Sequence, residues 1–453
     1  GAAMMRPGFA YVEKARDKFP DNQRRLIPFQ WGGIDYLIEM GHEYLRFYRD
    51  GNIIGSVQTP FQGEELEEVQ YAQKRIGMIF VHYKYQPRLV SRAETEEVFS
   101  IELMEFPKPP QYDFNDDLSP VIADSVYELT FATPENNQTY QLIYGGEPTV
   151  EIAYSNIILL NVERIENALE DLPNITTATT VTVTGSGVQA GPYTITLSGP
   201  DAGLGLKAEA LSMTSDPIVT TMEEGGTRYE DAWSDVRGWP ATVTFFEQRL
   251  VFGGTGTLPE YLWLSKTGDY GDFDWRGGVF PSDPMQLAID SSEQVIIRWL
   301  LGGAFIGIAT NSGHFGLAGA GGPLGPTTFN LTQFTSERAE RMQPININSD
   351  LVYVDEGRDK IRKLYLSDER RTALSNNITL TVSDLTRSSL TQPFKMTRPD
   401  SYIVTTNDAG QLLMCSYQLE QGRTAWTYFE HARGPIKAAT VIREDAGDII
   451  YVV

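Results

Sequence analysis

Short runs of apolar residues recur along this sequence, each flanked by polar residues and turn formers, and they predict a chain built mainly from β-strands. From the second run onward, the starting positions are separated by 55, 46, 51 and 47 residues. The first two starts are 172 residues apart, and an insertion of 116 residues accounts for the excess. The six runs are MIFV (78–81), LVFG (250–253), FIGI (305–308), LVYV (351–354), YIVT (402–405) and IIYV (449–452).

A repeat of about 50 residues with several short strands per unit is typical of the blades of a β-propeller. A second strand follows most of the runs, as in KIRKLYLS (360–367) and QLLMCSYQ (411–418). Stacked β-sandwiches would give the same spacing and are the alternative architecture. We therefore predict a mainly β fold with β-propeller-like repeats of about 50 residues.

The region before the first run, residues 24–60, also predicts strands. Its segment EYLRFYRDGNII carries an Asp-Gly turn at 49–52 between two alternating stretches, which indicates a β-hairpin. The next segment, GEELEEVQYAQ (63–73), predicts the one helix of this region.

Residues 113–228 differ in composition from the rest of the chain and predict an inserted domain. This segment has no Trp, His or Cys, although the chain contains seven Trp and four His. Apolar residues at helical spacing predict one short helix from Val162 to Leu172, which Pro173 ends. Alternating apolar and polar positions predict its strands at 139–145, 149–154, 180–185 and 193–199.

These patterns divide the chain into three regions. Residues 1–112 form an N-terminal β-rich region with the first propeller-like unit, 113–228 an acidic, β-rich α+β insertion, and 229–453 further propeller-like repeats. The sequence stops at DIIYVV, within a predicted strand, so we expect the full protein to continue beyond both ends.

The charge of the chain argues against a conventional nucleic-acid-binding role. The formal net charge is −23, and the inserted segment alone has 17 acidic and three basic residues. An acidic surface repels DNA, and there is no basic stripe to bind phosphates. No run of about 18 apolar residues is present, so no membrane-spanning helix is predicted.

The residue types that usually hold metals or perform nucleophilic catalysis are few and scattered. His42, His82, His314 and His431 lie in different units without metal-ligand spacing. Cys415 is the only cysteine, which excludes an intrachain disulfide and favours a buried, inert thiol. No catalytic, cofactor-binding or metal-binding residue is predicted.

Two further motifs have both a chemical and a structural interpretation. The glycine-rich GAGGPLG (319–325) contains Pro323 and lacks the Lys-Ser/Thr of a phosphate loop, so we interpret it as a plain loop. In TGDYGDFDW (267–275), Asp269, Asp272 and Asp274 could bind calcium or act in glycoside hydrolysis. We favour a structural turn in which these carboxylates bond local amides while Phe273 and Trp275 anchor it.

Several longer stretches carry a resemblance to a known family. They are RPGFAYVEKAR near the start, RRLIPFQW at 24–31, LEEVQYAQKRIGMIFVHYKYQPRLVSR at 66–92 and WPATVTFFEQRLVFGGTGTLPEYLWLSKTGDYGDFD at 239–274. Together they resemble the tail tubular protein B, or tail nozzle, family of short-tailed (podovirus-like) bacteriophages, and FFEQRLVFGG is the most specific line. The resemblance covers 1–112 and 229–453. The chain departs from the family pattern at Lys84-Tyr85, where a proline often stands beside the histidine.

The resemblance implies a structural virion protein that is not an enzyme and uses no cofactor. Such proteins form a homo-hexameric ring in the viral tail, joined to a tail adaptor protein and to a tail fibre or spike protein. DNA passes through the ring at ejection without specific binding, and the tail is assembled in the host bacterial cytoplasm. In this context Arg249 is either a subunit contact or a buried structural residue, held by an ion pair or by stacking.

Two other function classes are kept as alternatives. A carbohydrate-binding or carbohydrate-degrading tail protein would need a pocket with two carboxylates and aromatic platforms. An adhesion protein would use the insertion 113–228 to bind a partner. The sign of the charge along the DNA path stays a prediction, because most of the acidity belongs to the insertion.

Overall fold

The structure is a computed structural model of the chain. It describes residues 9–15, 23–94, 96–114, 124–177, 179–199, 201–223, 229–276, 278–291, 293–347, 350–367, 372–418, 423–444 and 447–453. The chain separates into two compact units. Unit 1 is Gly1–Pro110 with Trp233–Val453, and unit 2 is Gln111–Ala232. Unit 2 therefore begins two residues before the predicted insertion 113–228 and ends four residues after it.

The described residues of unit 1 form seven antiparallel sheets, and in each one the strands follow one another in chain order. We number these sheets as blades 1 to 7. Blades 1 and 2 are β1 (Arg25–Trp31), β2 (Ile34–Gly41), β3 (Tyr44–Arg49), β4 (Asn52–Gln58) and β5 (Gln70–Lys74), β6 (Gly77–His82), β7 (Tyr85–Arg92), β8 (Phe99–Leu103).

Blades 3 to 7 follow after the second unit. Blades 3 and 4 are β19 (Thr242–Phe246), β20 (Arg249–Gly253), β21 (Tyr261–Leu264), β22 (Met285–Ala288) and β23 (Ile297–Gly302), β24 (Ile306–Thr310), β25 (His314–Gly319), β26 (Phe329–Thr335). Blade 5 is β27 (Ile345–Ile347), β28 (Asp350–Val354), β29 (Ile361–Ser367) and β30 (Thr372–Asn377), followed by a 3-10 turn (Leu380–Val382) and the short helix α2 (Ser383–Thr386). Blades 6 and 7 are β31 (Phe394–Met396), β32 (Tyr402–Thr406), β33 (Leu412–Gln418), β34 (Arg423–Phe429) and β35 (Ala439–Glu444), β36 (Gly447–Val452).

The seven blades form a closed ring with the first strand of each blade innermost. First strands of successive blades contact one another, for example β19 with both β5 and β23, whereas the fourth strands β4 and β8 meet at the outside. The ring closes because β35 of blade 7 contacts β31 and β32 of blade 6 as well as β1 and β2 of blade 1. This arrangement is a β-propeller, which confirms the predicted fold class and excludes stacked sandwiches.

The apolar runs found in the sequence are the second strands of blades 2 to 7. Strands β6, β20, β24 and β28 are buried at every position. A second strand is covered on both faces by the neighbouring blades, so it needs a continuous apolar run instead of an alternating one. In blade 1 the run is interrupted by Glu39, which is 2% exposed and accepts a 2.6 Å hydrogen bond from the Tyr48 hydroxyl.

The helix predicted at 63–73 is wrong. Only Gly63–Glu65 forms a single 3-10 turn, and Gln70–Lys74 is the strand β5. Leu66 and Val69 have helical spacing, but both are buried as the chain enters the centre of the ring. Pairing of β5 with β6, in which Gln70 lies opposite Val81, overrides the local helical propensity.

In its described part, unit 2 has two four-stranded sheets and one helix around an apolar core. The first sheet has the order β14-β15-β10-β17, and in the second β12, β13 and β16 all pair with β11. A separate pair, β9 with β18, joins the two ends of the unit. The bounds are β9 (Gln111–Asp113), β10 (Ser125–Thr130), β11 (Thr139–Tyr144), β12 (Glu147–Pro148), β13 (Ile152–Ala153), α1 (Ile158–Glu170), β14 (Thr180–Gly185), β15 (Tyr193–Ser198), β16 (Leu206–Ala210), β17 (Ile218–Glu223) and β18 (Tyr229–Asp231).

Two predictions for this unit need correction. The helix begins at Ile158 and ends at Glu170, so it starts four residues before the predicted Val162. The strand predicted at 149–154 is reduced to Ile152–Ala153, and the short strand β12, Glu147–Pro148, lies before the predicted range. Between the two strands, the Thr149 hydroxyl accepts a 3.0 Å hydrogen bond from Leu142 N–H, so a side chain takes the place of a backbone acceptor.

Close packing between blades 3 and 4 makes Gly302 sensitive to substitution. A Cβ atom at Gly302 would lie 2.2 Å from the Phe245 carbonyl oxygen, whereas one at Gly303 would meet nothing closer than 3.9 Å. We expect Gly302→Ala to lower the free energy of unfolding by about 2 kcal/mol, because backbone must move. The matched control Gly303→Ala is expected to change it by less than about 0.5 kcal/mol. Equal urea midpoints for the two variants would contradict this packing.

Candidate functional site

The three aspartates of the 267–275 segment are bound within a structural turn. The Asp269 carboxylate accepts a 3.0 Å hydrogen bond from Gly271 N–H, and Asp272 accepts one of 3.2 Å from Asp274 N–H. Asp274 also forms an ion pair with Arg276, with both N–O distances at 2.9 Å. These are the local amide bonds expected of a turn.

The same turn is fixed to the segment that leads from blade 2 toward unit 2. Phe273 N–H donates a 2.8 Å hydrogen bond to the Lys108 carbonyl, and the Lys108 ammonium lies 3.5 Å from the Asp272 carboxylate. The Phe273 ring is 1% exposed, and its centroid lies 4.9 Å from that of Trp233. Phe273 therefore anchors the turn as predicted, while Trp275 stays half-buried.

The four histidines have separate partners or surroundings in the fold. Gly63 N–H donates to His42 Nδ1 at 3.1 Å, and His82 Nε2 lies 3.4 Å from Glu68. His431 is solvent-exposed. Across the described residues, no three His, Cys, Asp or Glu side chains come together to bind a metal ion.

His314 is the histidine whose pKa is most clearly changed by its surroundings. It is fully buried, with its ring centroid 4.4 Å from Tyr353 and 5.5 Å from Trp299. Burial lowers the pKa of His314 to about 3, so the imidazole is neutral at physiological pH. Its Nδ1 lies 3.2 Å from the Thr335 hydroxyl. The position is structural, inside blades 4 and 5.

Cys415 and the glycine-rich loop also have structural surroundings. Cys415 on β33 is fully buried, and burial raises the pKa of its thiol to about 12, which makes it a poor nucleophile. The loop 319–325 connects β25 with β26, and within it Leu324 N–H donates a 3.0 Å hydrogen bond to the Glu247 carboxylate. This contact holds the loop against the β19–β20 turn.

Arg249 lies in the most specific line of the sequence and is buried at the start of β20. It is 1% exposed. Its guanidinium donates hydrogen bonds to the backbone carbonyls of Ser265 at 2.6 Å, Asp283 at 2.8 Å and Pro281. The sequence left open a subunit contact, an ion pair or stacking. Arg249 is a buried structural residue, but its partners are main-chain oxygens and not the carboxylate or aromatic ring that were considered.

The centre of the ring is crossed by a hydrogen-bonded set of side chains that sequence reasoning missed. We call Arg25, Gln70, Tyr71, Gln343 and Gln392 the central network. The Gln343 side chain binds the backbone of Tyr71 twice, at 3.3 Å to its N–H and 3.0 Å to its carbonyl. The Gln392 amide donates to the Tyr71 hydroxyl at 3.0 Å.

The network joins β5 of blade 2 to blades on the opposite side of the ring. Gln343 leads into blade 5 and Gln392 into blade 6, while the Gln70 amide donates to the Arg298 carbonyl of blade 4. Arg25 of blade 1 is 7% exposed and donates a 2.9 Å hydrogen bond to the Leu66 carbonyl. Because these bonds span the axis, the middle of a single ring is filled by side chains.

The two bonds from Gln343 give a test of this network. We expect Gln343→Ala to lower the free energy of unfolding by about 2 kcal/mol, because the Tyr71 N–H and carbonyl lose their partner in the ring centre. Gln343→Glu keeps an acceptor for the N–H and loses the donor, so its midpoint in urea denaturation should fall between parent and alanine variant. An alanine variant as stable as the parent would show that water replaces the side chain.

A cavity of about 240 Å³ lies between blades 4 and 5. It is lined by the β23–β24 turn, which includes Phe305, and by Asn346, Asp350 and Tyr365. Asp350 is the only carboxylate among its lining residues, and it accepts a hydrogen bond from the Tyr417 hydroxyl and lies 3.3 Å from the Lys363 ammonium. The paired carboxylates that glycoside hydrolysis requires are therefore not assembled in this cavity.

Unit 2 exposes apolar side chains near the start of its helix. Leu159 is 77% exposed and Ile157 is 57% exposed. The nearby turn that carries Val188, which is 59% exposed, is held there by a 3.0 Å hydrogen bond from the Gln189 amide to the Asn156 carbonyl. Apolar residues grouped at one end of an acidic unit are suited to a protein contact.

The chain matches no known family model and no curated protein sequence. Among solved structures it is similar to the WD40 domain of Neurospora crassa Pan2, with 9% identity over 96% of this chain and 90% of that chain, at a TM-score of 0.35. It is also similar to BBS1N in complex with ARL6DN, with 8% identity over 94% and 90%, at a TM-score of 0.33. A third is KlHsv2 with loop 6CD replaced by a Gly-Ser linker, with 7% identity over 90% and 98%, at a TM-score of 0.31. The propeller assignment rests on this chain's own blades. Within the described residues no helix is long and apolar enough to cross a membrane.

Proposed function

We propose that this chain is a structural protein of a short bacteriophage tail, a nozzle subunit that assembles into a ring through which DNA is ejected. The observation that carries the proposal is the sequence resemblance, centred on FFEQRLVFGG (245–254). That line forms the β19–β20 hairpin of blade 3, and its arginine, Arg249, binds backbone carbonyls within the fold. A residue pattern devoted to architecture is consistent with an assembly protein and gives no support to catalysis.

The filled centre of the propeller defines where a DNA path would have to lie. The central network crosses the axis of a single ring of blades, so DNA would pass between subunits and not through one of them. The major groove of duplex DNA alone is about 12 Å wide, so the duplex is far wider than any gap between hydrogen-bonded side chains. A hexameric assembly of propellers around a common axis supplies such a path.

Electron microscopy of negatively stained protein, together with mass measurement, tests the proposal directly. We expect rings with a central hole and a mass of about six chains, formed alone or on the tail adaptor protein. Gold-labelled antibodies against this chain should mark the distal tail of intact virions of the encoding phage. A chain that stays monomeric with the adaptor and is missing from the virion would sink the proposal.

The competing enzymatic function has its own test. A carbohydrate-degrading tail protein would release sugar from host polysaccharide, and Asp269→Asn would abolish the release without unfolding the exposed end of the turn. We expect no release by the parent chain, because the three aspartates are engaged by turn amides, Lys108 and Arg276. Release that depends on Asp269 would require the structural assignment to be withdrawn.

Within the tail, we assign partner contact to unit 2. The apolar group Ile157, Leu159 and Val188 lies in a segment with a net charge of −14, which suits a basic partner surface such as the base of a fibre. Leu159→Asp is expected to weaken fibre retention at least tenfold, whereas Val150→Asp, at a position 67% exposed elsewhere in the unit, should not. Equal retention by both variants would exclude this surface.

A further inference from the structure

Arg88, on strand β7 of blade 2, is a half-buried arginine whose charge lacks a counterion in the described part of the chain. Across the residues that the structure describes, its guanidinium has no hydrogen bond, ion pair or aromatic ring as a partner. Its Nε atom is enclosed by the protein and finds no acceptor. Burial lowers the pKa of Arg88, and no carboxylate among the described residues opposes this effect. A positive charge is therefore held partly out of water with nothing to neutralise it.

A second arginine on the same strand shows what a complete ion pair looks like in this blade. Arg92 lies four residues after Arg88, so its side chain points to the same face of the sheet. A guanidinium nitrogen of Arg92 lies 3.8 Å from the Glu97 carboxylate, and one from Arg49 of blade 1 lies 2.5 Å from the same group. The described chain thus supplies a carboxylate for Arg92 and none for Arg88.

The sheet holds the stem of Arg88 between a buried and an exposed apolar side chain. Arg88 is paired with Phe80 on β6 and with Leu103 on β8. Directly opposed residues point to the same face, with their Cβ atoms about 5 Å apart. Phe80 is fully buried, whereas Leu103 is 50% exposed. The terminal nitrogens of the guanidinium, unlike Nε, are not enclosed, so the side chain presents its outer edge at the rim of the blade.

An unpaired charge at this depth destabilises the folded chain, because it loses hydration without gaining a partner. A destabilising group of this kind is typical of a site that a binding partner completes. The chain has 60 acidic and 37 basic residues, so carboxylates are abundant on any second copy of it. Charge complementarity therefore favours another copy as the source of the missing acceptor. Arginine is also among the residues that contribute most to protein interfaces, and the exposed Leu103 adds apolar area beside it.

We infer that Arg88 is one half of a contact between copies of this chain, and that a carboxylate of the neighbouring copy is the other half. The inference rests on the proposed ring, which places a second copy beside each subunit. In a cyclic ring each interface joins two different surfaces, so a cation on one copy meets an anion at another position on the next. The planar guanidinium binds the carboxylate through two parallel hydrogen bonds from its outer nitrogens. The charge of Arg88 is neutralised only when the ring assembles.

Opposite effects on stability and on assembly distinguish an interface arginine from a structural one. Arg88→Met keeps the apolar stem and removes the charge, so the urea midpoint of the dilute, monomeric chain should rise. The protein concentration at which half of the chains assemble should increase at least tenfold, because the neighbouring carboxylate loses its partner. Arg75→Met, at an exposed arginine on the β5–β6 turn of the same blade, should change neither quantity. A lower urea midpoint for Arg88→Met would make Arg88 a structural residue and overturn the inference.

Carbodiimide coupling identifies the carboxylate that Arg88 meets. Arg88→Lys places an amine at this position, and a water-soluble carbodiimide joins that amine to a carboxylate in contact with it as an amide. Isotope-labelled and unlabelled chains of this variant are mixed, assembled, coupled and digested for mass spectrometry. We expect linked peptide pairs that combine a labelled with an unlabelled chain. Links confined to one chain or to the adaptor, assembled rings without links, or rings of Arg88→Met at the parental concentration would overturn this inference and leave the proposed function standing. A parent chain that never assembles, alone or with the adaptor, would overturn both.

Discussion

Arg249→Met is expected to lower the free energy of unfolding by about 4 kcal/mol, the largest effect of any single substitution considered. The guanidinium binds the carbonyls of Ser265, Pro281 and Asp283, and methionine fills the space without donating a hydrogen bond. Each buried carbonyl left without a partner costs about 1–3 kcal/mol. Burial of the guanidinium charge costs free energy through desolvation, and the same desolvation lowers the pKa of Arg249. Replacing the charge with methionine removes this cost and offsets part of the loss.

Urea denaturation followed by tryptophan fluorescence measures this effect. Arg249→Lys should give an intermediate loss, because an ammonium cannot reach carbonyls spread on several sides of a planar guanidinium. The matched control is Arg387→Met, at an arginine whose side chain is 78% exposed and pairs with Asp384 in solvent. A methionine variant with parental stability that fails to form rings would restore the interpretation of Arg249 as a subunit contact.

The repeat of the propeller could be predicted from sequence because the second strand of each blade has a simple physical requirement. Neighbouring blades cover both of its faces, so runs such as MIFV (78–81) and LVYV (351–354) are continuous and apolar. The same logic explains why blade 1 was not counted among the repeats. Glu39 is buried in its second strand and is held by hydroxyl groups and arginines, a set of partners that apolar spacing does not reveal.

The central network could not be predicted for a different reason. Its partners are far apart in the sequence, with Arg25 and Gln392 separated by 367 residues and Tyr71 and Gln343 by 272. Arginine, glutamine and tyrosine at such positions look like ordinary surface residues until the ring closes. The helix predicted at 63–73 failed for the same reason, since contacts between residues distant in sequence decide the conformation. When the ring closes, Val69 and Gln70 are buried in extended form near its axis.

The interpretation of the aspartate turn succeeded because its bonds are local. Asp269 and Asp272 bind amides two residues away, a geometry that the TGDYGDFDW pattern already contains. Arg249 shows the limit of this reasoning, since its acceptors lie 16 to 34 residues downstream and are main-chain atoms without a side-chain signature. Burial of the residue could be anticipated, but its ligands could not.

Acidification should destabilise unit 1 through His314 before most carboxylates are protonated. The pKa of this buried imidazole is lowered to about 3 in the folded state, against an ordinary histidine pKa of 6.5. The unfolded chain therefore binds one more proton than the folded chain between these two values. The contribution of the neutral His314 to the free energy of unfolding is fully present above pH 6.5. It is lost as pH falls toward 3, at about 1.4 kcal/mol per pH unit.

Between pH 6.5 and pH 5 the loss from this residue alone should reach about 2 kcal/mol. His314→Phe keeps an aromatic ring between Trp299 and Tyr353 but cannot be protonated, so urea midpoints of this variant should fall less steeply over that window. The exposed His431 supplies the control, and His431→Gln should keep the parental slope. Parallel slopes for parent and His314→Phe would mean that the folded protein accommodates the imidazolium. Because Arg362 lies near enough to oppose that charge, such accommodation would require blades 4 and 5 to open locally and admit water to the ring.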